Sequence, residues 1–265
     1  MKKAFLTGVF ASLFILTSFS QNNIKPIISS HNFGSKTELW ESVGLGILNF
    51  QADVMYIYGN LYVTSLMPDS VHHKIPTLTE AYLYPLYNQF KKNKEEILPG
   101  YANDIFLVLN ISSQPIQVYK QLAEEMRPFT EMLSFELEGV KHPGKLRILI
   151  KDKDQLDKIN SIKPSFLGLV GNLEDVNKNM DSYKMPLIEL EFSEITSWKG
   201  TGNIPFEDFL KLKELVARVH AQNKKISIRN CPSNQMVTDI MQTSKADFTN
   251  TPEAMKVLGF IEAAK

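Results

Sequence analysis

Short apolar runs alternate with longer amphipathic stretches along most of this chain, and the spacing of the apolar residues tells the two apart. Continuous or period-two apolar runs predict strands over 26–30, 46–53, 105–111, 145–150, 166–170, 187–192, 225–229 and 246–250. Between them lie helical patterns. Residues 37–43 follow Ser35 as an N-cap, 77–92 is long and aromatic, and 117–135 carries apolar residues three and four apart. Phe206, Phe209, Leu210, Leu212, Leu215, Val216 and Val219 form one apolar face, and Glu207 and Asp208 in its first turn complement the helix dipole. Pro232 or Ser233 opens a further helix and Pro252 the last. After the second strand, 56–63 reads as a hairpin turning at Gly59-Asn60.

Strands that alternate with helices need crossover connections, so neighbouring strands pair in parallel. About eight such units in one series predict an α/β fold, a (β/α)8 TIM barrel with a small hairpin after the second strand. A doubly wound open sheet is the rival, but no GxGxxG or GxxxxGK[ST] loop supports a nucleotide site. No repeat or low-complexity linker interrupts 21–265, which reads as one domain. Ahead of it, Lys2-Lys3, the apolar run from Ala4 to Leu16 and the small residues near Ser20 read as a secretory signal peptide over 1–20. The run is too short for a confident membrane span. The mature chain is therefore expected to be exported, periplasmic or secreted, with no transmembrane span.

Charge narrows the partners. Lys+Arg 29 against Asp+Glu 29 gives no net charge, which argues against a nucleic-acid partner. The single cysteine, Cys231, excludes an intrachain disulfide and cannot alone build a zinc site. Its near absence suits an oxidising compartment.

In a parallel barrel, chemistry gathers where strands end. The first predicted strand ends in His31-Asn32, the second in Gln51-Ala52-Asp53, the third in Asn110-Ile111-Ser112 and the seventh in Arg229-Asn230. Glu189 and Glu191 share one face of the sixth.

These residues carry a resemblance. His31-Asn32, Gln51-Ala52-Asp53, the hairpin Gly59-Asn60-Leu61-Tyr62-Val63, Thr77-Leu78 and Tyr82-Leu83-Tyr84-Pro85-Leu86 resemble the phosphatidylinositol-specific phospholipase C and glycerophosphodiester phosphodiesterase superfamily. More narrowly they are similar to the branch named for altered inheritance of mitochondria. Trp198-Lys199-Gly200-Thr201-Gly202, Ala217-Arg218-Val219-His220, Arg229, Pro232 and Asp247-Phe248-Thr249-Asn250-Thr251 follow that branch's order, so the likeness spans most of the mature chain.

The resemblance implies a barrel in which carboxylates hold Ca²⁺ or Mg²⁺ while two histidines act as base and acid on a phosphodiester. Hard cations want anionic oxygen ligands, and the reacting phosphate needs its developing charge neutralised. It makes His31 the first catalytic histidine and Asp53 a metal ligand. Gln51 stands where the family has a glutamate, Ser65 where it has the second histidine, and Asn110 and Ser112 where a carboxylate and a lysine are expected. Amides in place of acids keep shape and delete charge, so Ca²⁺ or Mg²⁺ binding should be weak or absent. Glu191, with Glu189, could restore the site at Gln51, Asp53 and Asn110. Alternatively both pair with a Lys or Arg from neighbouring strands, Arg147 and Arg229 being candidates.

Asn32, Ser65, Arg229 and Trp198 are the candidate substrate contacts, with Arg229 suited to a phosphate and Trp198 to a loop over the mouth. The partner implied is a small phosphodiester or lipid headgroup. His72-His73 could supply a substitute acid, His220 reads as a helix-terminal cation, and Tyr82, Tyr84 and Tyr87 as packing residues. Two functions stay open: a hydrolase for a glycerol- or inositol-type phosphodiester, and a degenerate binding protein that retains the pocket.

Overall fold

The computed structural model describes residues 27–30, 36–44, 47–67, 75–101, 103–111, 114–151, 161, 163–250, 253, 256–257 and 259–260. The expected signal segment, His31-Asn32, His72-His73, Ser112 and Pro252 lie outside the described residues. The strands are β1 (Ile27–Ser30), β2 (Ile47–Ile57), β3 (Asn60–Val63), β4 (Ile105–Ile111), β5 (Phe135–Leu137), β6 (Val140–His142), β7 (Leu146–Ile150), β8 (Leu167–Gly171), β9 (Leu187–Glu191), β10 (Lys225–Arg229) and β11 (Phe248–Asn250). The helices are α1 (Lys36–Gly44), α2 (Tyr84–Lys92), α3 (Pro115–Met126), α4 (Phe192–Ile195), α5 (Phe206–His220) and α6 (Gln235–Ser244).

β1, β2, β4, β7, β8, β9, β10 and β11 pair in parallel in that order, and β11 returns to β1, so the sheet closes. Lys225 is in register with Leu187, and Leu187 with Val170; carried on around the ring, the pairing regains β10 eight residues along. That offset is the shear of a (β/α)8 barrel.

Phe106, Val108, Leu149, Val170, Leu187 and Phe248 form an apolar cluster of their own, whereas Leu107, Leu109, Ile148 and Ile188 join the larger cluster beneath the helices. Alternate residues of each strand thus face the barrel axis and the helix layer, as the pleat requires. Register with the inner cluster aims Gln51 and Asp53 of β2, Asn110 of β4, Glu189 and Glu191 of β9 and Arg229 of β10 inward at the C-terminal mouth. Four positions of α5, Leu212, Leu215, Val216 and Val219, are buried at helical spacing.

Two expectations change in detail. The helix expected over 117–135 ends at Met126, followed by a 3₁₀ turn at Arg127–Phe129 and the strand β5. Pro128 contributes by lacking an N–H to bond the carbonyl four residues back, although Arg127 before it keeps α geometry, φ −53° and ψ −43°. The hairpin turns at Tyr58-Gly59 rather than one residue later, with Ile57 opposite Asn60. Both turn residues have positive φ, 47° and 88°, as a tight turn matched to strand twist demands.

Candidate functional site

Glu189 organises the mouth. Its side chain is only 5% exposed, and three groups from three other strands or strand ends meet it. Gln51 Nε2 donates to Oε2 at 2.9 Å across the barrel. Lys151 Nζ, just past β7, lies 2.6 Å from Oε1, and an Arg229 guanidinium N–H donates to the same oxygen at 3.2 Å. Arg229 also reaches Glu191 Oε1 at 2.5 Å, and Asn230 Nδ2 donates to Glu191 Oε2 at 2.8 Å. Burial works against the charge on Arg229, but Glu189 and Glu191 outweigh it and hold its pKa above the ordinary value.

Lys151, Glu189, Glu191, Glu194, Arg229, Asn172 and the backbone end of β8 surround an open cavity of about 240 Å³. The candidates in β2 and β4 form a separate pair: Asn110 Nδ2 donates to Asp53 Oδ1 at 2.9 Å. Ser65 is exposed just past β3, next to Thr64, whose N–H binds the Asp53 carbonyl at 2.9 Å. Trp198 is a core residue rather than a wall of this cavity. It is 9% exposed, its indole N–H donates to the Thr201 carbonyl at 2.8 Å, and its ring lies 6.3 Å from that of Phe192.

The donor set does not fit a divalent cation. Glu189 and Glu191 are matched by Lys151, Arg229 and Asn230, an amide N–H is aimed at Asp53, and Gln51 turns its N–H toward Glu189. A hard cation needs converging oxygens, and here donors and cations occupy those directions. Among the described residues no group of three or more His, Cys, Asp or Glu side chains could hold a metal ion. Of the two cations named as partners for the glutamates, Arg229 takes that role. Arg147 sits instead at the other end of the barrel, over the Tyr183 ring at 4.7 Å and 3.4 Å from Asp104.

Lys151 is the residue that sequence reasoning missed. It lies two beyond Leu149 and four beyond Arg147, the parity that faces the axis, so extending the strand by one residue would have found it. His220, at the end of α5, meets Asp247 Oδ2 at 2.6 Å, and the same carboxylate accepts from Lys225 Nζ and the Ile226 N–H. That cluster is at the strand starts, away from the mouth. Cys231 is buried, which pushes its thiol pKa up and leaves it a core residue.

No protein-family model matches the chain, and no curated protein matches it. Solved structures do. The glycerophosphodiester phosphodiesterase from Agrobacterium tumefaciens superposes with a TM-score of 0.51 at 10% identity, over 88% of this chain and 99% of that one. A second A. tumefaciens protein, assigned as a glycerophosphoryl diester phosphodiesterase, gives 0.43 at 8% identity over 91% and 98%. Phosphoribosyl anthranilate isomerase from Thermus thermophilus gives 0.40 at 10% over 90% and 98%. The likeness to the first shows the fold alone: a closed parallel (β/α)8 barrel, similar in architecture to that phosphodiesterase.

Proposed function

We propose that this chain is an exported barrel on the altered-inheritance-of-mitochondria-like branch of the phosphodiesterase superfamily. It binds the phosphate of a glycerol- or inositol-type phosphodiester, or of a lipid headgroup, and its metal-dependent hydrolysis is degenerate. The observation that carries this reading is the convergence of Lys151 and Arg229 on one oxygen of Glu189. A phosphate entering the open cavity would take over Lys151 and Arg229 donors now turned to Glu189 and Glu191, and the guanidinium makes those donors directional. The same ion pairs consume the acidic charge that a Ca²⁺ or Mg²⁺ site would need. His31 and Asp53 are what remains of the family's machinery, and the fold likeness to a phosphodiesterase keeps the hydrolase as the competing reading.

Calorimetric titration with glycerophosphoethanolamine in EDTA separates the two. The expected result is binding without metal, weakened about tenfold or more by Arg229→Ala or Lys151→Ala, since each removes a charge-assisted contact. Turnover of an aryl phosphodiester on adding Ca²⁺ or Mg²⁺, abolished by His31→Ala, would establish the hydrolase instead.

A further inference from the structure

Among the described residues, two inward-facing polar side chains beneath the mouth have no hydrogen-bond partner. Asn49 of β2 and Ser227 of β10 are both 0% exposed, and neither the amide nitrogen and oxygen of Asn49 nor the Ser227 hydroxyl is paired. Buried polar atoms are nearly always satisfied, by protein or by ordered water, because an orphaned one forfeits its hydration without return.

The strand registers place the two together. Asn49 is in register, through Ile28 and Asn250, with Arg229. A shear of eight over eight strands staggers the level by about one residue per strand, so three strands bring Asn49 to the height of residue 226, beside Ser227. The same stagger sets Gln51 level with Glu189, and those side chains do meet across the barrel at 2.9 Å. Asn49 and Ser227 therefore stand at nearly one height on the barrel wall, directly below the Gln51–Glu189 pair.

We infer that the barrel interior holds ordered water at this level, bound by Asn49 and Ser227. The Gln51–Glu189 pair closes the space above, while Leu187, Leu149 and Phe248 are its apolar surroundings, so the ligand is small, neutral and both donor and acceptor. Asn49 offers two donors and an acceptor and Ser227 one donor and an acceptor, which meets the two to four partners a buried water needs. The site is independent of how the mouth is read.

A crystal structure of the full chain at about 1.6 Å tests it, at hydrogen-bond distances of roughly 2.7–3.2 Å. Water density bound to Asn49 and Ser227 is the expected result; a dry, well-defined interior, or a protein partner on either side chain, overturns the inference. Thermal denaturation of Asn49→Leu, Ser227→Ala and the double variant gives a second readout. Shared water predicts that each single change lowers Tm and that the double variant loses less than the two losses together. Additive losses, or a rise in Tm from either change, contradict it.

Discussion

Glu189 sets the electrostatics of the mouth, because one buried carboxylate satisfies Gln51, Lys151 and Arg229 together. Glu189→Gln would take the carboxylate from Lys151 and leave Arg229 paired with Glu191 alone, and urea denaturation should show a loss of about 2–3 kcal/mol. No loss would mean that the ion pairs contribute nothing to the folded state. The opposite experiment restores charge: Gln51→Glu with Asn110→Asp should lower Tm in EDTA, by crowding acids against Glu189 and Asp53, and calcium should recover it. A Tm indifferent to calcium would contradict the view that the number of carboxylates governs metal binding at this mouth. At the other end of the barrel, burial first, then Asp247 and Asp104, push the Tyr101 phenol up to about 12. A raised folded pKa stabilises the protein fully below the unfolded value of 10.0 and ceases to do so as pH climbs toward 12. Tyr101→Phe should therefore flatten alkaline unfolding across that window; an unchanged profile would show that other groups govern it.

The strands and helices were legible wherever period and length agreed. β4, β7, β9, β10 and α5 fall within a residue or two of their expected bounds, because each joins a continuous or strictly spaced apolar run to polar ends. Side-chain pairings were legible only in part: Arg229 was named as a partner for Glu189 and Glu191, but Lys151, which meets Glu189 from the end of β7, was not. Trp198 was ambiguous because an aromatic just ahead of two glycines reads as a lid or as packing, and only burial decides. Close packing at the mouth's supporting strand is also invisible in sequence. A methyl added at Gly171 of β8 would collide with Ile188 Cδ1 and Met185 Sδ, so Gly171→Ala should cost about 1–3 kcal/mol in chemical denaturation. At α6, Asn234 caps the helix by accepting from the Val237 N–H at 3.0 Å. Asn234→Ala should cost about 1 kcal/mol, and no change in the midpoint would show the cap to be redundant.

The closed ring brings residues from β2, β4, β7, β9 and β10 to one mouth, although they are up to 178 positions apart, from Gln51 to Arg229. A barrel can keep this scaffold while the charges at its mouth change, since the fold depends on the inner and outer apolar layers rather than on the strand-end residues. Here the acids that face the axis are answered by Lys151, Arg229 and amide donors. The direct test is calorimetric titration of the unmodified chain with CaCl2 and, separately, MgCl2. The account predicts no saturable binding heat at millimolar metal; a saturable isotherm abolished by Asp53→Ala would contradict it.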